Sequence, residues 1–262
     1  MENHIEEQLG RLETLLLEAQ QIVSQINKKN SCPQCSQLEL DPRVLRLQEI
    51  EITSDQGTKE WLEARRQCIT ASDMATVLCQ NPYSSRPELL RKKIFNLPFT
   101  GNKDAVEHGH AYEPVALKRY EQQTGHKILS FGLLHQPGSI IGASPDGVTY
   151  CGRAVEVKCP LSRKVKCQEV PQHYMAQVQC QLEVMKLDVC DFVQLDTKTD
   201  LFDITVVEKE ANWYERNKKK IEEFSDLLQD CFKDPQKVPQ KKKKKVHIME
   251  ASTVEWHMDD IE

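Results

Sequence analysis

Leu9, Leu12, Leu16, Ala19, Val23 and Ile26 step along the chain by alternating threes and fours. That is an a/d seam of about three heptads, so residues 1–30 are predicted to form a helix. The seam suits a short coiled coil and, equally, a helix packed on its own domain. After a short 31–40 linker the pattern changes. Helical spacing recurs at 57–67, 71–79, 86–96, 104–124, 172–187 and 209–231. Strand-like alternation or short apolar runs occupy 127–135, 139–143, 153–158, 189–196 and 201–207. Helices before and within a short run of strands predict an α/β domain over 41–232, a mixed central sheet flanked by helices. Residues 233–262 carry Pro239 and then Lys241 to Lys245, and read as a disordered basic tail. A lysine run after a proline serves as a nuclear import signal or a DNA tether, or is simply a solvated linker.

Composition narrows this only a little. The chain has 262 residues, 39% hydrophobic and 29% charged, the balance of an ordinary globular protein. No apolar run approaches the roughly 20 residues needed to span a bilayer, so no membrane partner is expected. The acidic start, Met1 to Glu7, fits neither a secretory signal nor a mitochondrial presequence, which points to an intracellular, reducing compartment. Its ten cysteines are then expected mostly as free thiols. The formal net charge of -5 does not advertise a nucleic-acid binder, yet a metal nuclease needs only a local basic surface.

The chemistry centres on Ser144-Pro145-Asp146-Gly147 and Ala154-Val155-Glu156-Val157-Lys158. The first is a turn; the second alternates like a strand, with Glu156 and Lys158 on one face and Val155 and Val157 on the other. Two carboxylates and an ammonium then converge at one sheet edge. Carboxylates suit Mg²⁺ or Mn²⁺, and a metal beside a lysine suits phosphodiester hydrolysis. On spacing alone, a turn Asp and a solvated Glu/Lys pair is the favoured reading. Glu113 adds to the picture because it falls on a stripe with Val106, His110, Leu117 and Tyr120, where a buried carboxylate is costly unless paired or metal-bound.

Three further features are weaker. Thr70 reads as an N-cap with Asp73 in the capping-box position, placing Ser72 in a first helical turn that favours anions. Arg65, just upstream, can clamp a phosphate, although Asp73 disfavours a second anion there. Tyr174, Gln177 and Gln181 share a polar helix face, and a glutamine can orient a water or a phosphate oxygen. Cys32 and Cys35 form a lone CxxC, half a zinc site. With no second CxxC nearby, two free thiols are favoured over a zinc completed by another chain or a distant histidine. No GxSxG, GxxxxGK[ST] or GxGxxG is present.

In order and wording these motifs resemble the phage lambda exonuclease family, the YqaJ-type viral recombinases of the PD-(D/E)xK nuclease superfamily. Trp61-xxx-Arg65 with Ile69 to Ser72, Gly109 to Glu113, Ser144 to Gly147, Glu156 to Pro160 and Tyr174 to Gln179 carry the resemblance. It implies a restriction-endonuclease-like core. It implies that Asp146, Glu156 and the Val157 carbonyl hold a catalytic divalent metal, with Glu113 completing a second position. Lys158 would position or activate water, Gln177 would support it, and Arg65 and Ser72 would bind a 5′-terminal phosphate. The implied activity is digestion of one strand of linear duplex DNA from its 5′ end, leaving a 3′ strand for recombination or repair. A homotrimeric ring and a single-strand annealing partner are implied likewise. The N-terminal helix, the CxxC and the lysine tail lie outside the resemblance. The rival readings are a structure-specific or restriction-like endonuclease, and a DNA-binding module that does no chemistry.

Overall fold

A computed structural model of the chain describes residues 32–239, apart from positions 54 and 99, together with the single positions Arg11, Leu15 and Glu18. The expected coiled coil and the lysine run lie outside the described residues. From residue 32 onward the described elements are one helical turn, α1 (Pro33–Ser36), followed by α2 (Pro42–Glu49), β1 (Glu51–Thr53), α3 (Lys59–Gln67) and β2 (Ile69–Thr70). A 3-10 turn at Ala71–Asp73 leads into α4 (Met74–Val77), then α5 (Arg86–Ile94) and α6 (Lys103–Thr124). Strands β3 (Ile128–Leu129), β4 (Leu133–His135), β5 (Ile141–Ala143), β6 (Gly147–Thr149) and β7 (Ala154–Lys158) follow. Helix α7 (Gln172–Met185) precedes β8 (Val189–Asp196), β9 (Leu201–Glu208) and α8 (Trp213–Lys233).

Local chemistry sets most of these boundaries. The Thr58 hydroxyl accepts the Trp61 amide at 3.2 Å and starts α3. Ser85 and Glu88 form a capping box at α5. The Asn102 side chain caps α6, and Gly125, at φ 68°, ends it in the left-handed conformation that glycine adopts without a Cβ clash.

The main sheet has the order β3-β6-β7-β8-β9. Strands β7 and β8 run parallel, with Glu156 opposite Phe192 and Lys158 opposite Gln194. The remaining pairs are antiparallel, so the sheet is mixed as expected. A second sheet, β1-β4-β5-β2, was not legible in the pattern. The apolar run at 127–135 was expected as one strand, but it breaks around Phe131 and Gly132 and its halves enter different sheets. The Gly132 amide donates to the Glu51 carboxylate at 2.7 Å, turning the chain toward β1.

Strand β7 is the middle strand, which corrects the expectation of a sheet edge. Its two faces meet different helices. Val155 and Val157, with Val193 and Leu195 of β8, pack under Ala116 and Tyr120 of α6. The other face of the sheet, including Ala154, Cys190 and Phe192, joins the larger core around α7, α4 and α8. That core extends to Val238, beyond the last helix. Among the described residues no helix is long and apolar enough to cross a membrane.

Candidate active site

A middle strand between two helices has no solvated face, so Glu156 is only 1% exposed. A buried carboxylate at that position requires compensation. Its Oε1 is contacted by the Lys158 ammonium and accepts from the Gln177 amide at 2.5 Å. Its Oε2 accepts from Gln181 at 2.6 Å. Gln177 and Gln181 stand one turn apart on α7, which places both amides over the same carboxylate. The sequence put Gln181 on this face without assigning it a partner; its i, i+4 relation to Gln177 was the available signal. Burial alone would lower the pKa of Lys158, but Glu156 and then Asp146 outweigh it and raise it, so the side chain stays protonated. The ammonium lies 5.2 Å from the centre of the Tyr174 ring.

Asp146 reaches the same place from β6. That strand pairs with β7 only as far as Gly147 opposite Val155. Beyond it the Val157 amide would lack a ladder partner, and the Asp146 Oδ2 accepts it at 2.6 Å. Gly147 is required for this approach: a Cβ there would lie 2.4 Å from the Ile128 Cγ2 of β3. Burial and the neighbouring Glu156 push the Asp146 pKa well above the ordinary carboxylate value, against the pull of Lys158. Glu113 is raised too, by burial first, with Lys158 opposing and Glu156 adding.

These groups meet at a cleft of about 590 Å³ whose lining includes Glu113, Asp146, Lys158, Arg163, His173 and Tyr174. The expected stripe on α6 is buried only over its second half. Ala116 and Tyr120 are buried, whereas Val106 and His110 are exposed, because the first half of the helix runs past the sheet and walls the cleft. Glu113 sits where the helix passes from one environment to the other.

Arg65 and Ser72 form a second, adjacent group. The Arg65 guanidinium lies 4.3 Å over the Trp61 ring and donates to the Ser72 hydroxyl at 2.9 Å. Trp61 Nε1 donates to the Ser144 hydroxyl at 3.2 Å, two residues before Asp146. Thr70 and Asp73 form the expected capping box. The objection that Asp73 repels an anion is answered by Lys93, a residue the sequence did not single out. Its ammonium lies 2.8 Å from the Asp73 carboxylate and also donates to the Arg65 and Cys68 carbonyls. Burial would raise the Asp73 pKa, but Lys93 and Thr70 hold it below the usual carboxylate range. The Arg65 charge is also close enough to feel Glu156 and Asp146.

Of the sequence-selected residues, the structure therefore brings together Glu113, Asp146, Glu156, Val157, Lys158 and Gln177, with Arg65 and Ser72 alongside. Cys32 and Cys35 are elsewhere, beside the β6–β7 turn at the opposite end of those strands. Glu113 and Asp146 supply hard oxygen donors whose mutual repulsion a divalent cation would relieve, which fits Mg²⁺ or Mn²⁺.

Residues 60–188 match the YqaJ-like viral recombinase domain. That is about half of the chain, and over it the chain is similar to that family. The matched span holds both groups of side chains. An alkaline exonuclease from Laribacter hongkongensis, LHK-Exo, is 25% identical, with a TM-score of 0.58, covering 68% of this chain and 96% of the exonuclease. The same enzyme in complex with dAMP matches at 26% identity and a TM-score of 0.58, covering 67% of this chain and 95% of the other. The uncharacterized protein R354 of Acanthamoeba polyphaga mimivirus is 34% identical over 168 residues. That match covers 57% of this chain, and the chain spans only 30% of the length of that relative.

Proposed function

We propose that this YqaJ-like domain is a divalent-metal-dependent deoxyribonuclease that digests one strand of linear duplex DNA from its 5′ end. The observation that carries this reading is the junction of two sites. A carboxylate–lysine cleft adjoins an Arg65–Ser72 pair through the Trp61–Ser144 hydrogen bond. The resemblance to alkaline exonucleases supports the same class of reaction.

Each side chain then has a physical task. Asp146, Glu113, Glu156 and the Val157 carbonyl are the oxygen donors that would hold Mg²⁺ or Mn²⁺, in one or two positions; bound there, such an ion acidifies water and neutralises phosphate charge. Lys158, kept protonated by Glu156 and Asp146, is not poised as a general base in the metal-free chain. Its ammonium instead donates hydrogen bonds that orient the attacking water and offset charge growing on the scissile phosphate. Gln177 and Gln181 fix Glu156, and through it Lys158, in one rotamer. Arg65 and Ser72 present donors to a terminal phosphate, with Asp73 already neutralised by Lys93.

The test is digestion of linear duplex labelled at either end, beside covalently closed circles, with and without Mg²⁺. Loss of the 5′ label first, with circles intact, is the expected result. Cutting of circles would replace this reading with an endonuclease, and no Mg²⁺-dependent turnover on any DNA would leave a binding module.

A further inference from the structure

Outside the cleft, one other cluster of reactive side chains stands out among the described residues. Cys32, Cys35, His126 and Cys151 come from three separate segments, yet their ligand atoms all lie within 4.8 Å of one another. Cys32 is the N-cap of α1 and Cys35 lies within it. His126 follows the Gly125 that ends α6. Cys151 sits in the turn between β6 and β7. The Cys35 Sγ is 3.6 Å from the His126 Nδ1, and the Cys151 Sγ is 3.5 Å from the same nitrogen. In a tetrahedral zinc site, the ordinary Zn–S and Zn–N bond lengths put sulfur and nitrogen about 3.6 Å apart. Both sulfur–nitrogen distances fall on that value.

We propose that these four residues are a structural Cys₃His zinc site that fastens the segment preceding α2 to the nuclease core. The surroundings are built for it. The Tyr120 ring stacks on His126, with centroids 5.9 Å apart and planes 24° off parallel. The Tyr120 hydroxyl donates to the buried Asp191 at 2.5 Å, and Asp191 pairs with Arg153. The Tyr120 ring, itself held by Asp191, therefore limits the rotation of the imidazole. The turn bearing Cys151 is held against the N-terminal segment from the other side. The Asp41 amide donates to the Tyr150 carbonyl at 2.8 Å. Gly152 adopts φ 82°, and the Asp41 and Arg43 side chains pack directly against it. Three thiolates and a neutral imidazole leave a bound Zn²⁺ with one net negative charge, and the thiol protons pass to solvent on binding. The CxxC thus has its missing half, supplied by positions 126 and 151, which share no local spacing with it.

This site also bears on the cleft without belonging to it. Helix α6 carries Glu113 at its middle, and His126 lies just past its C-terminal end. Strands β6 and β7 carry Asp146 and Lys158 at one end and the Cys151 turn at the other. A metal at the turn pins the far ends of the elements that position the cutting groups.

The test uses the full chain, purified under reducing conditions, with bound metal measured by mass spectrometry and a spectrum recorded after cobalt replacement. About one equivalent of zinc per chain is expected, with the intense red absorption and thiolate charge-transfer band of tetrahedral cobalt. Asp146→Asn and Cys167→Ser should keep the zinc, and Cys151→Ser should lose it. Because Cys151→Ser could fail to fold, Cys32→His serves as the second variant: it should retain zinc with a weaker charge-transfer band. A folded wild-type chain without zinc would overturn the proposal. So would zinc that disappears in Asp146→Asn yet survives in Cys151→Ser, or a cobalt spectrum unchanged by Cys32→His. None of these readouts depends on nuclease activity.

Discussion

Asp146 does two jobs that pull against each other. Its carboxylate closes the sheet ladder by accepting the Val157 amide, and it stands beside Glu156 and Glu113 in a site that disfavours another negative charge. Asp146→Asn keeps an acceptor for the amide and removes the charge. Activity should fall by roughly 10³-fold, the equivalent of several kcal/mol of lost charge stabilisation. Metal-free stability should move the other way. A carboxyl group whose folded pKa is raised binds its proton more tightly in the folded state. Wild-type stability is therefore lost as pH rises from the ordinary carboxylate value through the raised one. Thermal melts in a chelator should show the variant more stable than wild type at pH 8, by about 2–4 °C for each kcal/mol relieved, and little different near pH 4. The same raised values for Asp146 and Glu113 mean that protons compete with the cation. The Mg²⁺ concentration giving half-maximal activity should accordingly be higher at pH 6 than at pH 8.5; a pH-independent value would contradict this.

At the scale of elements, the site depends on how closely β3 and β6 approach. Gly147→Ala places a methyl group 2.4 Å from Ile128, so the strands must separate and Asp146 must move with them. A destabilisation of about 1–3 kcal/mol is expected by chemical denaturation, with a loss of activity larger than that of a surface control. The helices were largely legible because their spacing and caps are local: Ser85 with Glu88 and Thr70 with Asp73 are each three residues apart, and Asn102 and Gly125 each sit next to the end of α6 they cap. The strands that went unread, β1, β2 and β6, are two or three residues long and too short for alternation to register. The break at Phe131 was illegible for another reason: it is imposed by a carboxylate 81 residues away. Glu156 and Lys158 were correctly placed on one strand face. The mistake was the strand's position, since alternation cannot distinguish a middle strand from an edge when the buried polar face is satisfied by amides from a later helix.

At the scale of the molecule, one sheet with α6 on one face and α7 on the other brings four distant segments to a single cleft. The residues of that cleft were found in the sequence as separate motifs in order. What was not legible is what joins them: the Gln181 amide on Glu156, the Lys93 ammonium under Asp73, and the Trp61–Ser144 bond between the two groups. Of the four-residue cysteine–histidine cluster only the CxxC was legible, as half a zinc site, because the packing of three segments is what brings His126 and Cys151 to it. The proposed 5′-end preference requires the Arg65–Ser72 group to bind a terminal phosphate beside the carboxylate–lysine cleft. Arg65→Lys keeps the charge but loses the fork geometry and the stacking on Trp61. The deciding measurement is the ratio of digestion rates on 5′-phosphorylated and 5′-hydroxyl linear duplexes, for wild type and for Arg65→Lys. A wild-type ratio of about 10 or more is expected, collapsing toward one in the variant, with cutting still dependent on Mg²⁺. Equal rates on both ends in the wild type, or a ratio untouched by the substitution, would contradict it.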